Sequence, residues 1–140
     1  MKIYDATNQI AGRLATRVAK DILNGEQVVI VNAEKAVLAG KKRAKFEEYK
    51  QKIDRGDVKK GPFYPRYPDA ILRRIIRGMI PWHKPKGREA FKRLRVFIGE
   101  PEEFKNKEKI KVEDADASKL RCDYITLEEL SIMLGAKKRW

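Results

Sequence analysis

Gln27–Val31 (Gln-Val-Val-Ile-Val) sets four β-branched apolar side chains in a row with no polar alternation. A run of that kind suits a strand covered on both faces, as in a parallel sheet, because a strand with one wet face alternates apolar and polar. In the segment before it, Ile10–Leu23, Leu14, Val18 and Ile22 recur at i, i+4 and i+8, with Ala11 and Ala15 beside them. Arg13, Arg17 and Lys20 fall on the opposite side, which gives an amphipathic helix closed by Asn24-Gly25. Lys2–Asp5 supplies a short strand ahead of it, and Thr7 or Asn8 is the expected helix cap. Strand, helix and strand then make one βαβ unit, expected to be right-handed.

The rest of the chain continues the alternation. Ala36–Leu38 is a short apolar run, and a helix follows Gly40 to about Ile53, with Phe46, Tyr49 and Ile53 on one stripe. Residues 54–68, carrying Gly56, Gly61, Pro62, Pro65 and Pro68, read as a long irregular connection. Pro68-Asp69 opens a helix to about Met79, in which Ile71, Leu72, Ile75, Ile76 and Met79 span about 140° of arc at 100° per residue. Arg73, Arg74 and Arg77 lie opposite, and Gly78 and Pro81 stop the helix. Gly87–Leu94 is a second short helix leading into a strand at Arg95–Ile98. Pro101–Asn106 reads as a helical turn, and Ile110–Val112 as a segment able to pair at a sheet edge. Thr126 and Glu129 have capping-box spacing at the start of a last helix that Gly135 ends. The pattern predicts a layered α/β domain spanning residues 1–140, with a mostly parallel sheet, a central basic loop at 54–68 and a basic tail at 136–140.

Charge locates the function. The net +13 is uneven: residues 36–98 carry 19 basic against 6 acidic side chains, whereas residues 99–135 carry 6 against 10. Within Arg73–Arg95, nine of 23 residues are Lys or Arg, interrupted by Gly78, Pro81, Pro85, Gly87 and the pair Trp82-His83. A cluster so dense, with acidic neighbours scarce within one helical turn, points to a polyanionic partner rather than a solvated face. Lys41, Lys42, Arg43 and Lys45 begin another helix, where cations oppose the macrodipole and a bound phosphate reverses that cost. The loop Gly61-Pro62-Phe63-Tyr64-Pro65-Arg66-Tyr67-Pro68 leaves two readings open: aromatics that stack on unpaired bases, or aromatics folded back onto the core, with Arg66 reaching outward in either case.

Other classes lose ground on the residues themselves. Gly40-Lys41 lacks the rest of a Walker loop, and no Gly-x-Gly-x-x-Gly follows a strand. His83 is the only histidine and Cys122 the only cysteine, so neither a His-built metal site nor an internal disulfide is available. Cys122 is expected to be a small, partly buried residue in a protein of a reducing compartment. Glu102, Glu103, Asp114 and Asp116 read as a solvated or partner-facing acidic surface rather than a metal site. The N-terminus has no apolar stretch of a secretory signal, and no apolar run is long enough to cross a bilayer. No cofactor, small-molecule substrate or membrane is therefore expected. A nucleic-acid-modifying enzyme and a free RNA-binding regulator remain as alternatives to a structural RNA-binding role.

Several segments in order carry a family resemblance: Gly12-Arg13-Leu14-Ala15; Val31-Asn32-Ala33-Glu34-Lys35; Gly61-Pro62 with Tyr64-Pro65-Arg66 and Pro68-Asp69; Arg77-Gly78-Met79-Ile80-Pro81; Gly87-Arg88; and Leu94-Arg95-Val96-Phe97. The chain thereby resembles the archaeal branch of the large-subunit ribosomal protein family L-thirteen over residues 3–135, less distinctly at 99–123. Ile80 stands where Leu is usual in that family. The resemblance implies an α/β/α fold around a four-stranded parallel sheet and a cytoplasmic, non-enzymatic structural role in the large ribosomal subunit. It further implies binding of large-subunit rRNA early in assembly, with neighbouring ribosomal proteins as partners. Carried onto this sequence, it favours Arg13, Lys41, Lys42, Arg43, Arg66, Arg77, Lys84, Lys86 and Arg88 as RNA contacts. The basic segments themselves add Lys45, Arg73, Arg74, Trp82, His83, Lys92 and Arg93.

Overall fold

In the computed structural model, which describes residues 1–55, 61, 64–138 and 140, the expected βαβ unit forms the centre. Strand β1 (Lys2–Asp5), helix α1 (Ala11–Leu23) and strand β2 (Val28–Val31) lead to β3 (Val37–Ala39) and helix α2 (Lys42–Asp54). Helices α3 (Pro68–Arg77) and α4 (Pro85–Lys92), strands β4 (Leu94–Val96) and β5 (Tyr124–Thr126) and helix α5 (Leu127–Met133) complete the elements. Strands β1, β2 and β4 form a parallel sheet in that order, with Lys2 opposite Val28 and Val28 opposite Leu94. Every residue of β2 is buried, as the uninterrupted β-branched run requires.

The sheet differs from expectation in strand number and in what covers it. Among the described residues the main sheet has three strands where four were expected, and beside β1 lies a single parallel bridge between Tyr4 and Ile110. Strand β3 leaves the sheet and pairs antiparallel with β5, Leu38 opposite Ile125. The residues of β5 read as the lead-in to a helix. Thr126 serves both elements, ending the strand and accepting the Glu129 N–H at 3.2 Å as the cap of α5. On one face of the main sheet, Tyr4, Val28, Ile30, Leu94 and Val96 join Leu14, Val18 and Ile22 of α1 and Ile71, Leu72 and Ile76 of α3 in one core. On the other, Ile3, Val29 and Val31 meet Phe104 and Phe97, which come from a helical turn at Glu102–Phe104 and its approach rather than from a helical layer. The α/β/α expectation is corrected to a helical layer on one face and an irregular segment on the other.

Polar contacts fasten the sheet ends. Asn32, at the carboxyl end of β2, adopts the left-handed conformation (φ 58°) that Asn tolerates better than other non-glycine residues. Its backbone N–H donates to Gly99 O at 2.8 Å and its side-chain amide to the Asp5 carboxylate at 3.2 Å. Glu34, 4% exposed, accepts the Gly99 N–H at 2.8 Å. The Val31–Lys35 segment thus ties β1, β2 and the chain leaving β4 together. Asp5 also accepts the Thr7 N–H at 3.0 Å and the Thr7 hydroxyl at 2.7 Å, so Thr7 is spent on this turn. The expected Thr7 or Asn8 cap of α1 does not form: Asn8 is itself left-handed, and Ile10 precedes the helix without a capping side chain. Along β1, the Tyr4 hydroxyl donates to Asp21 of α1, whose second oxygen pairs with Lys2 at 3.2 Å. Burial first, and then Asp21, pushes the Tyr4 hydroxyl up to about 12.

Two smaller expectations also change. Helix α3 ends at Arg77, so Met79 leaves the helical phase and is 42% exposed instead of lying on the buried stripe. Cys122 is exposed, in the segment just before β5, rather than partly buried. The connection at 54–68 begins and ends as expected, at the close of α2 and the start of α3. Gly56, Pro62 and Phe63 within it, like Arg139 of the tail, lie outside the described residues.

Two predictions follow from these contacts. Burial alone would raise the Asp5 carboxyl, but the Thr7 N–H, the Thr7 hydroxyl, the Asn32 amide and Lys111 outweigh it and hold it below the ordinary value. A depressed folded-state value contributes stability above the ordinary carboxyl range, about 3.9, and that stability is lost as pH falls through the folded value. Urea unfolding followed from pH 6 to pH 3 should show a midpoint that drops in acid, and the drop should shrink in Asp5→Asn. The second concerns Gly87, where a Cβ would lie 2.1 Å from Pro81 O and 2.5 Å from Pro81 C. Gly87→Ala should cost about 1–3 kcal/mol in chemical denaturation, since backbone must move. Gly12→Ala in α1, where nothing lies within 4 Å, should be neutral or stabilising by up to about 1 kcal/mol.

Candidate nucleic-acid interface

Helix α3 divides its side chains by turn geometry. Ile71, Leu72 and Ile76 are fully buried, which leaves Arg73 exposed and Arg74 and Arg77 half-buried on the other side. Each arginine then lies over an aromatic ring: Arg73 over Phe91 at 4.8 Å, Arg74 over Tyr64 at 5.4 Å and Arg77 over Trp82 at 4.3 Å, measured to ring centroids. The rings are themselves braced edge to face, Trp82 on Phe91 at 5.2 Å and Tyr64 on Tyr49 at 5.7 Å. Among the described residues, none of the three guanidiniums is in an ion pair. A cation over a ring at an exposed site gains about 0.5–1 kcal/mol, enough to bias the side chain's position while leaving its charge unneutralised. The planar guanidinium keeps N–H groups for an oxyanion, and a forked contact to phosphate suits it better than a carboxylate held elsewhere.

The turn after α3 carries the same face onward. Trp82, 37% exposed, and exposed His83 precede Lys84, Lys86, Arg88 and Lys92 on or beside α4, all exposed. Gly87, packed against the Pro81 carbonyl, fixes α4 to this turn, and Phe91, one helical turn further along the same side, reaches Trp82 and Arg73. Two grooves meet here. One, of about 270 Å³, is lined by Pro65, Ala70, Arg73, Arg74, Arg77, Trp82 and Phe91. The other, of about 320 Å³, is lined by Arg74, Arg77, Gly78, Ile80, Trp82 and His83. Of the loop aromatics, Tyr64 folds back: burial raises its hydroxyl despite Arg74, and its ring packs on buried Tyr49. Tyr67 is half-buried, and Phe63 lies outside the described residues.

The remaining expected residues separate from this centre. Arg93 turns inward and donates to the Ile22 carbonyl at 2.8 Å, closing the end of α1. Arg13, exposed, donates to the Asp114 carbonyl at 2.8 Å and tethers the acidic segment to α1. On α2, Lys42 pairs with Glu129 at 2.7 Å, Arg43 with Glu47 at 3.3 Å and Lys45 with Glu48 at 3.2 Å, while Lys41 is exposed at the helix start. Exposed pairs of this kind are worth about 0–1 kcal/mol and are readily exchanged for a phosphate. Arg66, exposed, borders a separate groove with Phe46, Ile53 and Met133. Phe91 and Pro65 were missed from sequence. For Phe91 the available signal was its i+4 spacing from Gly87, which puts an aromatic on the face that packs against the turn.

Among the described residues, no group of three or more His, Cys, Asp or Glu gathers where a metal ion could be held. Among the same residues, no helix is long and apolar enough to cross a membrane.

The family model for ribosomal protein L13 matches residues 1–103, which include the βαβ unit, the arginine face and α4. The large ribosomal subunit protein uL13 of Methanopyrus kandleri is 55% identical over 136 residues, covering 95% of this chain and 86% of its own length. The uL13 of Archaeoglobus fulgidus is 51% identical over 135 residues, with coverage of 95% and 86%. That of Methanocaldococcus jannaschii is 48% identical over 142 residues, covering 98% of this chain and 99% of its own. With a family match over most of its length and relatives of that identity aligned nearly end to end, the chain belongs to the ribosomal protein L13 family.

Proposed function

We propose that the chain is a single RNA-binding domain that serves as a structural constituent of the large ribosomal subunit. It holds a fold of large-subunit rRNA in place and joins the particle early in assembly. The observation that carries this reading is the outward arginine face of α3, stacked on aromatics and paired with no carboxylate among the described residues, beside exposed Lys84, Lys86, Arg88 and Lys92. Membership of a ribosomal-protein family takes the place of the nucleic-acid-modifying enzyme as the account of this charge.

The chemistry is neutralisation rather than catalysis. Phosphates of two RNA strands brought close repel each other, and a rigid set of guanidiniums and ammoniums between them lowers that repulsion at little ordering cost. Phosphate contacts position the protein without reading sequence, so specificity rests on RNA shape. On α2, Lys41, Lys42, Arg43 and Lys45 would exchange their carboxylate partners for phosphates at a second contact. Arg66, exposed just before α3, would add a further phosphate contact. Apart from Glu129, which pairs with Lys42 of α2, the acidic segment at 99–129 would face solvent or a basic neighbouring ribosomal protein.

Binding of the chain to large-subunit rRNA should weaken steeply with salt, each neutralised phosphate adding roughly 0.7–0.9 to the slope of log K against log salt. Replacing Arg73, Arg74 and Arg77 together by Ala should lower that slope by about 2 and leave the fold intact. Arg93→Ala should instead lower stability with little change in slope. Filter binding across a salt series, paired with thermal melts, separates these outcomes. A slope unchanged in the triple variant would remove the arginine face from the interface.

A further inference from the structure

The two grooves beside α3 differ in chemistry. The first has an apolar floor of Pro65, Ala70, Trp82 and Phe91 under the arginines. The second is walled by Arg74, Arg77 and His83. Arg74, Arg77 and Trp82 border both, so a ligand spanning them would place an apolar plane and an anion side by side. At about 270 Å³ the first groove falls just below the size that holds a drug-like molecule, which suits a single heterocycle. A helical duplex cannot reach it, because bases in a stacked A-form helix present only their edges.

We propose that the Pro65–Ala70–Trp82–Phe91 groove receives one unpaired nucleobase of the bound RNA, with the adjoining phosphate in the Arg74–Arg77–His83 groove. The inference rests on the RNA-binding reading above and adds a subsite to it. Charge complementarity selects the occupant: the walls are cationic and without a carboxylate, and the floor is aromatic. An apolar peptide side chain would leave the three guanidiniums desolvated and unpaired. A nucleotide satisfies both halves, its base stacking on ring or guanidinium and its phosphate accepting from the arginines. The rings stand already braced, Trp82 on Phe91 and Arg77 on Trp82, so little order is lost on binding.

The test uses the full chain carrying Trp140→Phe, so that Trp82 is the sole indole, with two probes of equal charge: hexa-adenylate and an abasic ribose-phosphate hexamer. Anisotropy titrations across a salt series give affinity and slope, and quenching of Trp82 fluorescence reports stacking. Hexa-adenylate should bind roughly tenfold tighter than the abasic hexamer at the same slope, and it alone should quench Trp82. Trp82→Ala should abolish the preference while keeping the slope, and Trp82→Phe should retain most of it. Ala70→Leu, which fills the groove and removes no ring, should abolish the preference too, so the test does not depend on how well Trp82→Ala folds. Equal binding of the two hexamers with a steep slope would leave the electrostatic face standing and overturn the base subsite. A preference that survives Trp82→Ala or Ala70→Leu would overturn it as well, as would absence of binding by both probes, whereas the RNA-binding reading itself is decided by the salt series on large-subunit rRNA.

Discussion

Burial of one side of α3 governs the rest of the molecule. Ile71, Leu72 and Ile76 are wholly buried in the core they share with α1, and each contributes about 1.5–3 kcal/mol by leaving water. No exposed ion pair competes with that, since such pairs are worth about 0–1 kcal/mol. The helix must therefore be oriented by its isoleucines and leucine. At 100° per residue that orientation sends Arg73, Arg74 and Arg77 to the opposite side. The binding face is thus a consequence of the core, and its rigidity is the rigidity of the core.

The cations near the start of α2 and the arginines of α3 are held differently. Lys42 and Arg43 are paired with carboxylates, Lys42 with Glu129 and Arg43 with Glu47. The α3 arginines lie over rings. A paired cation must give up its partner before it meets a phosphate, whereas a stacked one loses nothing and is already placed. On the proposed reading the α3 arginines would make a fixed contact and the α2 cations an exchangeable one. Gly87 makes the fixed contact possible, because only a residue without Cβ lets α4 approach the Pro81 carbonyl and bring Phe91 under Arg73.

Much of this could be read from the chain, and the failures have physical causes. Periodicity located α1, α2 and α3, and the β-branched run located β2, because burial imposes a strong repeat on long or fully covered elements. Strand β5 escaped because it has only three residues and ends in the Thr126 that caps α5. The turn holding Phe104 was legible at Pro101–Asn106, but its place as cover of the second sheet face was not, because two aromatics at 97 and 104 leave no repeat. The Thr7–Asn8 cap failed because the Asp5 carboxylate, at the end of β1, captures Thr7 first. Charge density marked the interface as a region but could not sort its members. Arg93 and Arg13 look like their neighbours in sequence, yet each is bound to a backbone carbonyl.

That sorting is the central claim, and the arginine side-chain Nε–H resonances test it most directly. They should be followed as a large-subunit rRNA fragment is added to the isotopically labelled chain. The account predicts that Arg73, Arg74 and Arg77 shift together and saturate at one equivalent, while Arg93, held by the Ile22 carbonyl, stays in place. Shifts at Arg93 equal to those of the α3 arginines, or an α3 set that does not move, would contradict it.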